Sequence, residues 1–272
     1  MRRDDDDAKG IQSVEVGYEV LLAVQRGPDA VQLSEIARRV GLSTGAVHNY
    51  LVSLVRTGLV EQKGRGRYRL GPSAFALSLT SFQQLSGFDI LRSEAHALHR
   101  LTGQSTAISV WSQGGPVSVF IERTEAHSHV YLRPGHVPLT RSAVGLIYAA
   151  YLPKSMMRDL IAHELGDKAP AEAPEAFIDR ARAEVLPAGY ARFANKEAKF
   201  FALSAPVITA DHRIAFALTL LVGDPANEED EKTWRSALLN CAQRASLLIA
   251  GDRRLSISGP RIEANDEHAP ST

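Results

Sequence analysis

Cysteine is almost absent from this sequence, and its scarcity excludes several kinds of site. Only Cys241 is a cysteine among the 272 residues, so an intrachain disulfide and a zinc site built from cysteines are both excluded. Cys241 lies in an apolar stretch with helical spacing. We expect a buried small side chain there, with a redox-active or effector-sensing thiol as the less favoured alternative.

Long hydrophobic runs are missing as well. No apolar run approaches the roughly 18 residues that a membrane-spanning helix needs, and residues 1–7 lack the apolar core of a signal peptide. We therefore expect a cytoplasmic protein. The sequence also has no phosphate loop, dinucleotide-binding glycine pattern or Gly-x-Ser-x-Gly elbow. It thus favours no enzyme class and predicts no cofactor.

The chain has no net charge, but its charge is unevenly distributed. It carries 31 basic and 31 acidic residues, with 44% hydrophobic and 23% charged residues, as in ordinary globular proteins. Between residues 56 and 69, five basic residues stand against one acid, a local balance of +4. A focused basic patch on a neutral protein is typical of a site-specific nucleic-acid binder. The basic residues are Arg56, Lys63, Arg65, Arg67 and Arg69, and the acid is Glu61.

Residues 33–58 predict two short helices joined by a tight turn. The first has apolar residues at helical spacing, and we expect Ser34 to cap its start and Gly41 to end it in a left-handed conformation. Ser43 is placed to cap the second helix, and Gly58 to end it. The predicted inner faces contain Leu33, Ile36, Ala37 and Val40 in the first helix and Val47, Tyr50, Leu51, Leu54 and Val55 in the second.

A basic hairpin follows, and together with the two helices it predicts a winged helix-turn-helix that binds double-stranded DNA. Gly64 and Gly66 mark the hairpin tip, and the basic side chains beside them are suited to phosphate contacts. Asn49 is suited to reading adenine. Two alternatives are a helical hairpin without a ligand and a domain that contacts protein. The predicted DNA-binding residues are Arg38, Ser43, Thr44, Gly45, His48, Asn49, Arg56, Lys63, Arg65 and Arg67.

The chain is long enough for two domains, and its patterns divide it into five segments. We predict a disordered arm (1–9), the winged helix-turn-helix domain (10–71), a linker helix (72–87), a second domain (88–252) and a disordered tail (253–272). A first helix is expected to bury Ile11, Val14, Tyr18, Leu21 and Leu22. The linker helix carries Phe75, Leu79 and Phe82, which we expect to pack against a partner subunit or the next domain.

The second domain is predicted to be α+β with a mostly antiparallel sheet. Helices are predicted at 88–103, 142–151, 153–165, 176–186 and 227–250, and strands at 106–111, 117–122, 129–132, 200–208 and 214–222. Residues 167–175 are expected to form a surface linker. Leu91, Ala95, Leu98 and Leu101 mark the inner face of the first helix, and Trp234, Leu238, Cys241, Ala245 and Leu248 that of the last.

A ligand pocket is predicted where the loop at residues 134–141 enters the helix that starts near Ser142. The first amides of that helix can hold an anionic group such as a carboxylate, and Ala143 and Gly145 are small enough to allow close approach. Trp111, Phe120 and Tyr131 come from neighbouring strands and are expected to form an apolar wall, with core packing as the alternative.

The histidines give little support for a metal site. His127, His129 and His136 lie near one another in the sequence, but no carboxylate or cysteine completes a ligand set at fixed spacing. We predict no metal site.

Taken together, the motifs resemble those of the IclR family of bacterial transcriptional regulators. The N-terminal part resembles the family's winged helix-turn-helix, and Gly135-His136-Val137-Pro138-Leu139, Ala143-Val144-Gly145 and Ser204-Ala205-Pro206-Val207 resemble its effector-binding domain. The resemblance implies a GAF-like second domain, a small-molecule effector, a near-palindromic DNA operator, and a homodimer or homotetramer. It further implies that Ala202, Ser204, Thr219 and Leu221 line the pocket. Together with the loop and the start of the helix, the predicted effector-binding residues also include Thr140, Ser142, Ala143 and Val144.

The sequence departs from the family pattern in three places. Residues 44–49 lack the basic base-reading side chain that is usual in the second reader helix. Thr140 and Leu146 stand where the family often has histidine and lysine. Arg192 follows a motif after which the family tends to be acidic; if it faces the pocket, an anionic effector is favoured.

Overall fold

A computed structural model describes residues 10–25, 27, 29–124, 133–166, 169–195, 200–223, 228–252 and 262. The chain divides into two compact units, Met1–Gln84 and Leu85–Thr272. Among the described residues, no helix is both long and apolar enough to cross a membrane.

The N-terminal unit is a helical domain with a small antiparallel sheet. Its strands are ordered β1-β3-β2, and its core is formed by all three of the first helices together with residues of each strand. In chain order its elements are α1 (Gln12–Gln25), β1 (Val31–Gln32), α2 (Leu33–Val40), α3 (Thr44–Arg56), β2 (Val60–Gln62), β3 (Arg67–Leu70) and α4 (Pro72–Gln83).

The buried face of α1 differs from the predicted one. Ile11, Val14 and Tyr18 are 68%, 65% and 44% exposed, whereas Val20 and Val24 are buried. The inward-facing side includes Gly17, where an added Cβ would lie 3.7 Å from the Tyr50 ring. A glycine contributes no apolar signal to a periodicity, so the sequence pattern favoured the wrong face.

The start of α2 also differs from prediction, while two other helix ends are confirmed. α2 begins after Gln32, not after Ser34, because the Leu33 amide donates to the Gly66 carbonyl at 2.9 Å and strand β1 leads directly into the helix. Gly41 ends α2 with φ 74°, and Ser43 caps α3, both as predicted.

The C-terminal unit contains a six-stranded sheet with helices on both faces. The strand order is β6-β5-β4-β9-β8-β7, and every pair is antiparallel. The α+β fold class is therefore confirmed. Its elements are α5 (Phe88–Thr102), β4 (Ser105–Ser112), β5 (Gly115–Glu122), β6 (Gly135–His136), α6 (Ala143–Tyr151), α7 (Lys154–Leu165), α8 (Ala173–Ala188), β7 (Ala191–Asn195), β8 (Phe200–Ile208), β9 (Ile214–Gly223) and α9 (Glu228–Gly251).

The alternation of side chains along each strand separates two cores. One face of the sheet packs on α5 and α9 through residues such as Ile108 and Leu218. The other face packs on α6, α7 and α8 through Ala107, Ala217 and neighbouring residues. Successive residues of a strand point to opposite faces, so the position of a residue in its strand decides which core it joins.

Several predicted elements of this unit need correction. β7 was not predicted, because Ala191–Asn195 is a short edge strand with weak apolar alternation. α8 begins at Ala173, inside the expected surface linker, and continues through Pro187 to Ala188. The predicted strand at 129–132 lies outside the described residues.

Two inner-face assignments on the helices are also wrong. Leu101 is 70% exposed in the last turn of α5, and Leu248 is 55% exposed in α9, where Ile249 is buried instead. The buried residues of α5 end at Leu98, one turn before Leu101. In α9 the buried face passes through Ala245 and Ile249, which turns Leu248 away from the core.

Candidate DNA-binding surface and ligand cavity

The first turns of α3 present a small polar face outward. The Ser43 Oγ accepts from the Ala46 amide at 3.2 Å, and Val47 and Leu51 are fully buried on the inner side. The opposite side is exposed and carries Thr44, Gly45, His48 and Asn49. An exposed polar N-terminal face on a helix anchored from behind has the form that enters a major groove.

The hairpin between β2 and β3 places basic side chains at an exposed tip. The Lys63 amide donates to the Arg67 carbonyl at 2.9 Å, and Gly64 and Gly66 adopt φ 75° and 69°, which the tight turn requires. The Arg67 Nη2 donates to the Ala30 carbonyl at 3.0 Å. These contacts hold the base of the tip and leave the charged groups exposed.

The basic residues of this surface differ in how far they are already paired. The Lys63 Nζ lies 3.1 Å from an Asp29 carboxylate oxygen, so part of its charge is compensated. Arg56 and Arg65 are exposed and make no ion pair with any residue that the structure describes. Arg65 is therefore the tip residue best placed for an external phosphate.

Glu35 organises the end of α2. It accepts from the Arg38 Nη2 at 2.7 Å and from the Arg39 Nε at 2.9 Å. These hydrogen bonds lower the pKa of the Glu35 carboxyl to about 2. The Arg38 side chain stays 72% exposed, so Glu35 orients its guanidinium without hiding it. All ten predicted DNA-binding residues are exposed on the N-terminal unit.

The C-terminal unit contains a cavity of about 320 Å³ between the sheet and the start of α6. Its walls come from strands β4, β5, β7, β8 and β9, and from the loop and first turn of α6. The lining residues are Ala107, Ser109, Ser118, Ile121, Arg133, His136, Val137, Pro138, Arg141, Ser142, Ala143, Val144, Phe193, Phe200, Ala202, Thr219 and Leu221.

Two arginines lie at the exposed side of this cavity. Arg133 and Arg141 line it and are exposed, as is His136. Ala143 and Val144, the first two residues of α6, also line it. The first amides of a helix lack intrahelical acceptors, so this end of the cavity favours an anionic group.

The loop before α6 is held by a residue that sequence reasoning missed. The Glu164 carboxylate, on α7, accepts from the Leu139 amide at 2.6 Å and from the Thr140 amide at 3.0 Å. The Thr140 hydroxyl donates to it at 2.6 Å. No local motif marks Glu164, because its partners lie 24 and 25 residues earlier. Thr140 is thus engaged in fixing the loop and does not line the cavity.

Six of the twelve predicted effector-binding residues line the cavity: Ser142, Ala143, Val144, Ala202, Thr219 and Leu221. Ser204 lies behind Thr219, with the two hydroxyl oxygens 3.0 Å apart. Trp111 packs on Tyr148 with ring centroids 5.0 Å apart, in the same core but outside the cavity lining. Tyr131 lies outside the described residues.

Phe120 and Arg192 lie on the opposite face of the sheet from the cavity. Phe120 contacts the Phe88 and His96 rings at 6.3 and 5.4 Å. Arg192 pairs with Glu231 at 2.7 Å and lies over the Phe201 ring. Phe120 therefore does not form the predicted apolar wall of the cavity. Arg192 does not face the cavity, so it gives no support for an anionic effector.

A β-bulge and strand alternation explain these two placements. In an unbroken hairpin, Phe120 would lie opposite Ala107 on the cavity face. The register instead shifts after the Ser109–Ser118 pair, so that Phe120 pairs with Ile108 on the other face. In β7 the cavity residue is Phe193, the immediate neighbour of Arg192.

Sequence reasoning also missed two serines on the cavity wall. Ser109 and Ser118 are paired residues of β4 and β5, and their hydroxyl oxygens are buried without a hydrogen-bond partner. In the sequence, their position within apolar strands was the one feature that set these serines apart. Among the described residues, no group of three or more histidine, cysteine, aspartate or glutamate side chains is arranged to hold a metal ion. His127 and His129 lie outside those residues.

Residues 13–64 match the model of the IclR helix-turn-helix domain. The glycerol operon regulatory protein of Streptomyces coelicolor is 32% identical over 154 residues, which cover 54% of this chain and 58% of that protein. The chain thus spans less than two thirds of the length of this curated relative. The Escherichia coli regulator XynR is 27% identical over 221 residues, covering 77% of this chain and 85% of XynR.

The fold of most of the chain is also found among solved structures. A putative IclR transcriptional regulator from Silicibacter sp. TM1040 superimposes with a TM-score of 0.73 at 23% identity, covering 88% of this chain and 97% of that one. These relatives are transcriptional regulators rather than enzymes, in agreement with the sequence-based expectation.

Proposed function

We propose that the chain is a DNA-binding transcriptional regulator of the IclR family, controlled by a small-molecule effector. The observation that carries the DNA-binding part is the exposed polar face of α3 beside an exposed basic hairpin tip in one domain. Asn49 and His48 would read bases, and Arg38, Arg56, Arg65 and Arg67 would contact phosphates.

The exposed face of α3 at residues 44–49 predicts how DNA affinity and sequence preference are divided between α3 and the hairpin. Residues 44–49 carry no lysine or arginine, so the hairpin should supply most of the electrostatic affinity and α3 most of the preference. Arg65→Ala/Arg67→Ala should weaken binding to all sequences alike. Asn49→Ala should mainly reduce the difference between operator and unrelated DNA.

Fluorescence anisotropy with DNA from upstream of the protein's own gene, and with shuffled DNA of equal length, tests this division. For the double arginine variant we expect the slope of log Kd against log salt to fall by about 2, since each lost phosphate contact removes about 0.9. Arg100→Ala, an exposed arginine on α5, is the matched control and should leave the slope unchanged. Equal binding by the double arginine variant and the unchanged protein would contradict the proposal, and retention on protein partners alone would favour the protein-contact alternative.

The cavity in the C-terminal unit supports the effector part of the proposal. It combines a positively charged opening, at Arg133 and Arg141, with the first turn of α6 and with walls formed by the sheet. We propose that it binds a small organic anion whose charged group lies at Ala143 and Val144. A thermal-shift screen of small carboxylic acids tests this, because a ligand that binds the folded state raises Tm.

Exposed apolar residues on the N-terminal unit support a homodimer or larger assembly. Ile11, just before α1, and Val14, on α1, are 68% and 65% exposed, and Phe75 and Leu77 on α4 are 67% and 61% exposed. Exposed apolar side chains of this kind mark association surfaces when they form a patch. A dimer would bring two reading helices to two half-sites of a near-palindromic operator.

A further inference from the structure

Two buried serines on the cavity wall have hydroxyl groups that nothing in the described chain satisfies. Ser109 is 1% exposed and Ser118 is 6% exposed, and neither Oγ has a hydrogen-bond partner. Buried hydroxyls are nearly always hydrogen-bonded, and exceptions call for an explanation. Both residues line the cavity, so a bound molecule is positioned to supply the missing partner.

The pairing of the strands places the two hydroxyls at one spot. Ser109 and Ser118 are directly opposite in the β4–β5 register, at the point where the bulge follows. Opposite side chains of an antiparallel pair have Cβ atoms about 4.5–5.5 Å apart. The Ser109 carbonyl is separately engaged, since the Tyr148 hydroxyl donates to it at 3.2 Å. The backbone is therefore fixed while both side-chain hydroxyls remain available.

A third hydroxyl on the cavity wall, that of Thr219, already has a hydrogen-bond partner. The Ser204 Oγ donates to the Leu218 carbonyl at 3.3 Å and lies 3.0 Å from the Thr219 Oγ1. Either hydroxyl can donate in the second bond. Thr219 lines the cavity, and its hydroxyl already has Ser204 as a partner, so it needs no partner from a ligand, in contrast to Ser109 and Ser118.

We infer that the effector is a hydroxylated organic acid whose hydroxyl group bonds to the Ser109–Ser118 pair while its carboxylate lies at the start of α6. This inference rests on the proposed function and adds the chemical class of the effector. A ligand hydroxyl both donates and accepts, so it satisfies two serines that can each do either. A cavity of about 320 Å³ is about twice the size of one that holds benzene, which suits one ring or a short chain.

Matched pairs of acids that differ only by a hydroxyl test the inference. The probes are benzoate against 3- and 4-hydroxybenzoate, and butyrate against 3- and 4-hydroxybutyrate, with Kd measured by calorimetry on the full chain. At least one hydroxylated acid should bind about 3- to 10-fold more tightly than its parent, the gain from one or two net hydrogen bonds. Ser109→Ala and Ser118→Ala should each reduce that preference, and the double variant should abolish it.

Two controls separate the possible outcomes. Ser112→Ala removes a hydroxyl from the same strand that donates to the Gly115 carbonyl and does not line the cavity, so it should keep the preference. In the ligand-free protein Ser109→Ala and Ser118→Ala should not lower Tm, because no hydrogen bond is lost. Acids that bind without regard to the hydroxyl, or a preference that survives in the double variant, would overturn the inference while leaving the anion-binding cavity intact. Absence of binding by every acid would overturn both.

Discussion

At Gly145 the backbone of α6 passes close to the backbone of the loop that precedes it. A Cβ added there would lie 1.9 Å from the Leu139 carbonyl oxygen, a backbone atom that Glu164 holds in place through the Leu139 amide. We predict that Gly145→Ala lowers the free energy of unfolding by about 2 kcal/mol or more, since overpacking against a fixed backbone typically costs 1–3 kcal/mol. Urea unfolding followed by circular dichroism measures the change.

Gly45 provides the matched control for this substitution. It also lies in the first turn of a helix, but an added Cβ would meet nothing within 4 Å. Gly45→Ala should raise stability slightly, by up to about 1 kcal/mol. If both substitutions changed stability equally, the close approach at Gly145 would not be the cause.

Single residues also show where sequence reasoning stops. The caps at Gly41 and Ser43 were predictable because capping is local chemistry. The contact of Glu164 with the loop before α6 was not, because it joins residues 24 and 25 positions apart. The placement of Phe120 depended on one extra residue in a strand, and no composition rule signals a bulge.

At the scale of elements, the Glu35 carboxylate of α2 both stabilises the helix and orients Arg38, a predicted DNA-binding residue. The folded-state pKa of Glu35 is lowered to about 2 by hydrogen bonds from Arg38 and Arg39. A lowered folded-state pKa gives stability that is fully present above the unfolded value, about 4.5, and is lost as the pH falls towards 2. We predict that the stability difference between wild type and Glu35→Gln is constant above pH 5 and declines between pH 4.5 and 2.

Urea titrations of both proteins at pH 6, 4 and 3 measure this difference. Glu184→Gln, an exposed residue of α8 without an ion pair in the described chain, is the control for a generic carboxylate. Its stability difference from wild type should stay small at each pH. An unchanged difference for Glu35→Gln across the range would show that the α2 network does not contribute to acid stability.

The α4 helix has an apolar face that the single chain does not bury. It has no buried residue, and Phe75 and Leu79 are 67% and 50% exposed. If this face packs in a dimer, Phe75→Ser should raise the dimer Kd at least about 10-fold, as loss of an aromatic interface residue usually does. Analytical ultracentrifugation measures the Kd, and Gln83→Ser on the same helix is the control. Equal masses for all three proteins at every concentration would remove α4 from the interface.

The fold class was predictable because it depends on the summed pattern of many residues. The antiparallel sheet at 200–208 and 214–222 followed from alternation over long apolar runs, and β8 and β9 match those bounds closely. The edge strand β7 carried too few residues for a pattern. The cavity was predictable as a region near the start of α6, but its walls depended on which strand residues face inward.

At the scale of the whole molecule, regulation requires a coupling free energy between cavity and DNA surface. If the effector changes operator affinity by some factor, the operator must change effector affinity by the same factor. We predict a factor of about 5 to 150, typical of allosteric proteins. Operator Kd measured with and without a saturating hydroxylated acid, and acid Kd measured with and without saturating operator, should give matching ratios.

Variants on each surface test whether the two sites are distinct and coupled. Ser109→Ala/Ser118→Ala should weaken acid binding while leaving operator Kd of the ligand-free protein unchanged. Arg65→Ala/Arg67→Ala should do the reverse. A ligand shifts an equilibrium only by its differential affinity for two states. An acid that binds tightly yet leaves operator Kd unchanged would therefore occupy the cavity without regulating DNA binding. Matching ratios, lost only when either surface is altered, would establish the cavity as the sensing site.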